Sequence, residues 1–161
     1  MRIHMFATVA ALFISPGLLS GQLPQKPTLT LEAVKRIAAA ADAEATRNSW
    51  KVVIVIVDEA ANLMYLQRNE DVQLGSLQIA QAKARTAALY RRPTKVWADR
   101  LSGEGGTSVL GLPDVIPLEG GIPIIIEGRT IGAVGVSGVT SQQDAQIAQA
   151  GINALMQSIN R

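Results

Sequence analysis

The spacing of apolar residues predicts two amphipathic helices, one over 31–47 and one over 141–161. In the first, apolar side chains recur every three or four positions, and Thr30 precedes them as a suitable N-cap. The second begins at Ser141, which with Asp144 resembles a capping box. Its apolar stripe consists of Ile147, Ala148, Gly151, Ile152, Leu155, Met156 and Ile159.

Continuous β-branched residues over 52–57 predict a strand that is buried on both faces. Residues 58–62 are predicted to turn, with Asn62 at positive φ, and 62–68 returns as the second strand of a hairpin. Because side chains alternate along a strand, Met64 and Tyr65 should face opposite sides, one in the core and one exposed.

Strong helix formers without Gly or Pro predict a helix over 76–92, which Pro93 ends, and a further helix over 94–101. One face of the helix over 76–92 carries only small residues, namely Ser76, Ala80, Ala84 and Ala87. Residues 102–121 are predicted to form a loop that contains one short strand at 115–118.

The glycine-rich segment GGIPIIIEGRTIGAVGVSG, residues 120–138, matches neither the P-loop pattern nor the dinucleotide-binding pattern. Its β-branched residues predict a hairpin that turns at 127–129. Gly132 and Gly138 would share one face of the second strand, and Gly135 would lie on the other. Glycine inside a strand indicates close approach by another group. That group is either a packed helix, or a planar ligand or neighbouring subunit on an open surface.

The order of these elements is helix, two strands, helices, two or three strands, and helix. Tight hairpins make the sheet mainly antiparallel, with helices segregated from the strands, so an α+β fold is predicted. The length suits one domain. We assign this domain to residues 28–161, after a short linker at 22–27.

Residues 1–21 have the features of a secretory signal peptide: Arg2 and His4, a short apolar run, then Pro16, Ser20 and Gly21. The apolar run is too short for a stable membrane span, which favours a signal peptide over the alternatives of an N-terminal membrane anchor or a disordered leader. Cleavage near Gly21 would release a secreted or periplasmic protein. The whole chain has 15 basic and 13 acidic residues, and without Arg2 the net charge is 14 − 13 = +1. This balance does not favour nucleic acid or a membrane as partner.

The chemistry open to the mature chain is restricted by the residues that it lacks. His4 is the only histidine and leaves with the signal peptide, and there is no cysteine. This excludes Ser-His-Asp and Cys-His catalysis, the usual zinc sites and the commonest haem ligands. The acidic pairs at 58–59 and 70–71 are expected to be solvated turn residues, so no metal site is predicted.

Positive charge is concentrated between residues 83 and 100, where Asp99 is the only acidic residue. Such a cluster either meets the carboxylates of a ligand or forms a solvated helix face. Lys83 adjoins the small-residue face of its helix and is the strongest candidate for ligand contact; a lysine in an apolar setting can also act as a base. The basic residues are Lys83, Arg85, Arg91, Arg92, Lys95 and Arg100.

Six segments carry a family likeness: LTLEAVKRIAAAADAEA, VVIVIVDEAANLMYLQR, QAKARTAA, GGIPI, IEGRTIGAVGVSG and QDAQIAQAG. Together, over about residues 28–160, they resemble the GlcG/HbpS family, also called the haem-degrading or DUF336 domain. The resemblance implies a profilin-like fold with an antiparallel sheet of about five strands, and self-association into a homo-oligomer. It also implies haem binding, sensing or degradation in some members, whereas others belong to glycolate or diol utilisation clusters. The chain departs from the family pattern at Asn62, where glycine is usual, and at 69–72, after the retained Arg68.

The ligand-binding site predicted from these residues and this resemblance consists of Arg68, Lys83, Thr86, Gly120, Gly121 and Gly135. Its expected ligand is haem or another planar anionic small molecule. The candidate iron ligands are Met64, Tyr65, Tyr90 and Met156, with lysines and hydroxyls. Haem is therefore expected to be weakly ligated or to lie at a subunit interface.

Three functions are open at this point. The first is a secreted haem-binding protein that self-associates, and export favours it over a metabolic enzyme. The second is an enzyme that acts on a small carboxylate or carbonyl compound, with Lys83 and the backbone of Gly120 and Gly121 as an anion hole. The third is an accessory oligomer without a ligand.

Overall fold

The computed structural model describes residues 25–160, so the predicted signal peptide, its cleavage near Gly21 and the first half of the linker lie outside the described residues. Within 25–160, no helix is long and apolar enough to cross a membrane. The helices are α1 (Leu31–Arg47), α2 (Ser76–Tyr90), α3 (Lys95–Leu101) and α4 (Ser141–Ile159), with a 3-10 helix at Gly106–Gly111. The strands are β1 (Val53–Asp58), β2 (Leu63–Arg68), β3 (Gly121–Ile126) and β4 (Arg129–Ser137).

The strands form one antiparallel sheet in the order β2-β1-β4-β3, and the predicted α+β fold is confirmed. Helices α1 and α4 cover one face, around Ile54, Ile56 and Val134. Helix α2 covers the other face, around Val55 and Ala133. Strand β1 is therefore buried on both sides, which explains its continuous apolar sequence.

Over residues 25–160 the sheet has four strands rather than about five, because residues 115–118 form a loop. Pro113 and Pro117 have no N–H to donate to a ladder. The N–H of Ile116 donates to Thr86 Oγ1 at 3.0 Å. The predicted short strand is wrong because α2 supplies a side-chain partner in place of a neighbouring strand.

Side-chain contacts fix the starts of α1 and α4. Thr30 Oγ1 accepts a hydrogen bond of 3.2 Å from the first turn of α1, which confirms the predicted N-cap. At α4 the capping box is formed by Thr140 and Gln143, and the predicted pair of Ser141 and Asp144 is wrong. Asp144 is instead buried, so its carboxylate is available for a contact inside the protein.

The β1–β2 hairpin contains a bulge that the alternation of side chains does not reveal. Ile56 pairs with Tyr65 and Val57 pairs with Leu63, which leaves Met64 as the extra residue. Met64 and Tyr65 therefore both pack against the core beneath α1 and α4. The expectation that they face opposite sides is wrong because the bulge interrupts the two-residue period.

The turn of this hairpin is organised by Asp58. Its carboxylate accepts hydrogen bonds from the Ala60 N–H at 2.9 Å and from the backbone and side-chain N–H groups of Asn62 at 2.8 and 2.9 Å. Burial acts to raise the pKa of Asp58, but these hydrogen bonds outweigh it and the pKa is lowered. The positive φ of the turn, 65°, belongs to Ala61, so its assignment to Asn62 is wrong.

The glycines of β4 allow other elements to approach both faces of the sheet, as their alternation predicts. A side chain at Gly132 would collide with Leu29, which belongs to the core beneath α1 and α4. A side chain at Gly135 would collide with the backbone of Ala80 and Ala84 in α2. Helix packing therefore explains the bare strand at Gly135, and α2 covers the surface on which a planar ligand was the alternative.

Candidate functional site

Lys83 of α2, the centre of the predicted site, is buried in an ion pair. Its side chain is 2% exposed, and Nζ donates to Asp144 Oδ2 at 2.7 Å and to the Val136 carbonyl at 3.0 Å. These contacts connect α2 with α4 and β4. Lys83 therefore holds three elements together, and its ammonium group is directed at protein acceptors.

Asp144 is the partner that the sequence pattern did not suggest. Burial raises the pKa of its carboxyl group, while the hydrogen bond and charge of Lys83 oppose that rise. Its Oδ1 atom accepts from the Val139 N–H at 3.3 Å. A signal was present, because Asp144 stands three residues before Ile147 on the buried stripe of α4, where a charge needs a partner.

Gly120 and Gly121 lie beside this ion pair and are closely packed. Gly120 has a φ of 125°, and a Cβ atom there would lie 2.7 Å from Lys83 Nζ. The Gly121 N–H donates to Thr94 Oγ1 at 2.9 Å, and the Gly121 carbonyl accepts from the Thr94 N–H at 2.9 Å. The structure thus brings both glycines to Lys83, but the Gly121 N–H is committed to a protein acceptor instead of an anion hole.

Thr86, further along α2, holds the loop that precedes β3. Its buried hydroxyl donates to the Asp114 carbonyl at 2.8 Å and accepts from the Ile116 N–H at 3.0 Å. Arg85 contacts the same loop, since Nε and Nη2 donate to the Asp114 carboxylate at 2.9 and 3.2 Å. This pair raises the pKa of Arg85 and lowers that of Asp114. Both side chains form hydrogen bonds with the loop that precedes β3, and not with the groups around Lys83.

The other residues of the predicted basic cluster are dispersed. Lys95 pairs with Asp99 at 2.6 Å, and the guanidinium carbon of Arg92 lies 5.3 Å from the centre of the Trp97 ring. Arg68 is exposed at the end of the edge strand β2, which β1 separates from β4. A ligand contact by Arg68 stays a prediction.

An open pocket of about 420 Å³, the α2-end pocket, involves the C-terminal end of α2 and the β3–β4 turn. It combines apolar side chains with three cations, Lys26, Arg91 and Arg129. Glu59 is the acidic residue in its lining and pairs with Lys26 at 2.5 Å between Nζ and Oε1. The lining residues are Lys26, Pro27, Glu59, Ala88, Arg91, Ile125, Gly128, Arg129, Thr130 and Ile131.

Arg91 occupies an unusual backbone position in this pocket. It follows α2 with φ 55° and ψ 36°, the left-handed conformation in which glycine is the usual residue after a helix. A residue with a side chain costs about 1–2 kcal/mol in this conformation. The side chain that lines the pocket at this position is therefore carried on a strained backbone. The sequence marks Arg91 as one basic residue among six, and carries no local signal for Lys26 or Arg129.

A second depression of about 350 Å³, the β2 groove, lies between α2 and the β1–β2 hairpin. Leu63 in its lining is 55% exposed, and Leu66 on the same edge strand is 37% exposed. Strand β2 thus presents apolar side chains beside a strand edge that pairs with no other strand of residues 25–160. The lining consists of Val55, Val57, Ala61, Leu63, Gln78, Gln81, Ala82 and Arg85.

The methionine and tyrosine candidates for iron ligation lie outside the α2-end pocket, whereas Lys26 and Thr130 line it. Met64, Tyr65 and Met156 pack against the core beneath α1 and α4. The Tyr90 hydroxyl donates to the Pro113 carbonyl at 2.6 Å. In the part of the chain that the structure describes, no group of three or more His, Cys, Asp or Glu side chains could hold a metal ion.

Known proteins resemble this chain over most of its length. A family model described as haem degrading protein HbpS-like matches residues 29–153. Protein GlcG of Escherichia coli (strain K12) is 42% identical over 112 residues, which are 70% of this chain and 83% of that protein. The crystal structure of HbpS has a TM-score of 0.76 and 32% identity, covering 84% of this chain and 95% of that one. The crystal structure of the PduOC:haem complex has a TM-score of 0.73 and 29% identity, covering 80% and 95%. The chain therefore belongs to the HbpS-like family, which confirms the resemblance of its six sequence segments.

Proposed function

We propose that this protein binds haem, or a similar planar carboxylated molecule, in the α2-end pocket. The observation that carries this proposal is that Arg91 and Arg129 share one open pocket with the apolar side chains of Ala88, Ile125 and Ile131. Guanidinium groups suit carboxylates because two parallel hydrogen bonds can form, and apolar side chains suit a flat ring system. The haem complex of PduOC, a structural relative, supports the choice of ligand.

The size and charge of the pocket agree with such a ligand. Its volume of about 420 Å³ lies within the range of about 300–1,000 Å³ that small-molecule sites usually have. Glu59 would repel a carboxylate, but its hydrogen bond with Lys26 lowers the pKa of Glu59 and offsets its charge with an ammonium group. Arg91 and Arg129 then provide the net positive charge of the lining.

The residues of the pocket fit the propionates and the ring of haem better than they fit its iron. Bound haem would supply redox chemistry, but the described residues of the lining include no His, Cys, Met or Tyr that would tune it. Binding and holding the ligand are therefore the functions that these side chains support.

Removing either arginine is expected to weaken haemin binding. Arg91→Gln and Arg129→Gln in a protein of residues 22–161 should each raise the haemin Kd about tenfold, because each loses a charge-assisted hydrogen bond worth about 1.4 kcal/mol. Gln keeps a polar side chain, shorter than that of arginine and uncharged, and at residue 91 it retains the left-handed strain. The measurement is a titration followed by the Soret absorbance.

Arg100→Gln is the matched control, because Arg100 is an exposed arginine of α3 outside the pocket. Its haemin affinity should equal that of the unaltered protein. Equal affinities in all four proteins would remove the pocket from the proposal, and the absence of saturable binding at unit stoichiometry would contradict haem binding itself.

We also propose that the protein is exported and that copies of it associate through the β2 groove. Export is supported by the pattern of residues 1–21 alone. Association is supported by the edge of β2, which no strand within the described residues covers, and by the exposed Leu63 and Leu66 beside it, since such edges pair readily with another chain.

The association predicts a mass above that of one chain at micromolar concentration in sedimentation equilibrium. Replacing Leu63 and Leu66 together with Ser should weaken the association constant at least tenfold, because two apolar side chains are lost from the interface. Leu31→Ser is the control, because Leu31 in α1 is equally exposed, at 55%. A monomeric unaltered protein, or equal weakening by Leu31→Ser, would contradict this interface.

The alternative of an enzyme based on Lys83 has less support from the geometry. Lys83 Nζ is bound by Asp144 and Val136, and the Gly121 N–H is bound by Thr94. A small carboxylate would have to break buried contacts in order to reach either group.

A further inference from the structure

The α2-end pocket offers anchors for carboxylates but few for a metal. Between residues 25 and 160 the chain has no histidine or cysteine, because its one histidine is His4 and cysteine is absent. Tyr90, the candidate iron ligand nearest in sequence to Arg91, donates its hydroxyl to the Pro113 carbonyl. Met64, Met156 and Tyr65 pack against the opposite face of the sheet from α2.

The remaining side chains of the lining are poorly suited to ligate iron. Lys26 and Glu59 are held to each other at 2.5 Å. A protonated lysine has no lone pair to offer, and Oε1 of the Glu59 carboxylate already accepts from the Lys26 ammonium group. Thr130 contributes a neutral hydroxyl, and the other polar side chains in the lining are arginines, which are donors only.

The affinity of the pocket must therefore come from its arginines and its apolar surface. Both features would contact the periphery of a tetrapyrrole, that is, the carboxylates and the faces of the ring. Neither would bind the central atom. We infer that the pocket recognises the carboxylated tetrapyrrole ring irrespective of its metal, so that it takes metal-free porphyrins as well as haem. This inference rests on the proposed function of the α2-end pocket.

The test compares three ligands with the protein of residues 22–161. They are haemin, metal-free protoporphyrin IX and the dimethyl ester of protoporphyrin IX, each in the same low concentration of a non-ionic detergent. Binding is followed by quenching of the fluorescence of Trp50 and Trp97. Haemin and the metal-free ring should have Kd values within threefold of each other, and the ester should bind at least tenfold more weakly because its carboxylates are masked.

Arg129→Gln links these results to the pocket, since it should raise the Kd values of haemin and of the metal-free ring by the same factor. An excess of imidazole, which occupies the iron, should leave the haemin Kd unchanged. If haemin binds and the metal-free ring binds at least tenfold more weakly, the inference is overturned while the proposed function stands. If neither ring binds, the proposed function fails and the inference fails with it.

Discussion

Replacing Lys83 with Met is expected to lower the free energy of unfolding by about 3–5 kcal/mol. Met keeps most of the volume of the lysine stem but removes its ammonium group. Asp144, which is 1% exposed, would be left as a buried charge without its partner, and the Val136 carbonyl would lose a donor. The measurement is urea unfolding followed by circular dichroism, with the slope of the transition checked for a change.

Two further variants separate the ion pair from general effects of substitution. Lys95→Met removes an exposed partner of Asp99 and should cost less than about 0.5 kcal/mol. The double variant Lys83→Met with Asp144→Asn removes both charges and should recover at least half of the lost stability. A Lys83→Met variant within 1 kcal/mol of the unaltered protein would contradict the role assigned to this pair.

The same variant should also respond to pH in a defined direction. Burial raises the pKa of Asp144 above its ordinary value of 3.8, and removing Lys83 takes away the group that opposes this rise. A carboxyl whose pKa is raised on folding contributes stability below its unfolded pKa and loses it as the pH rises through the folded value. The stability difference between Lys83→Met and the unaltered protein should therefore shrink as the pH is lowered from 7 towards about 4.

The sequence pattern predicts the helices but not this ion pair, because the helices depend on local interactions and the ion pair depends on a long-range contact. The caps and apolar stripes of α1 and α4 are local, so their spacing can be seen within one segment. Lys83 and Asp144 are 61 residues apart and meet only after α2 and α4 have packed near β4. The pair of Ser141 and Asp144 resembles a capping box, yet the neighbouring Thr140 and Gln143, which match the Thr-x-x-Gln form of the pattern, make the actual one.

The α2-end pocket was beyond prediction for a related reason. Lys26, Arg91 and Arg129 come from three separate segments, and each one alone has the composition of an ordinary loop or turn. Their convergence depends on the register of β3 and β4, which shifts between Ile124 and Ile125. Such a shift changes which side chains share a face, and although Pro123 and Gly132 lie beside it, neither specifies which residue of β4 is left without a partner.

Gly135→Ala is expected to lower the free energy of unfolding by about 1–3 kcal/mol, because the added methyl group overpacks the contact between α2 and the sheet. The new Cβ would meet the backbone of Ala80 and Ala84, which cannot move without shifting the whole helix. Gly75→Ala is the matched control, since a Cβ there meets nothing within 4 Å and the φ of −64° suits alanine. That variant should be unchanged or up to about 1 kcal/mol more stable in the same urea titration. If Gly135→Ala and Gly75→Ala had the same free energy of unfolding, α2 would not be packed against β4 at Gly135. The alternative of a planar ligand on this face of the sheet would then be open again.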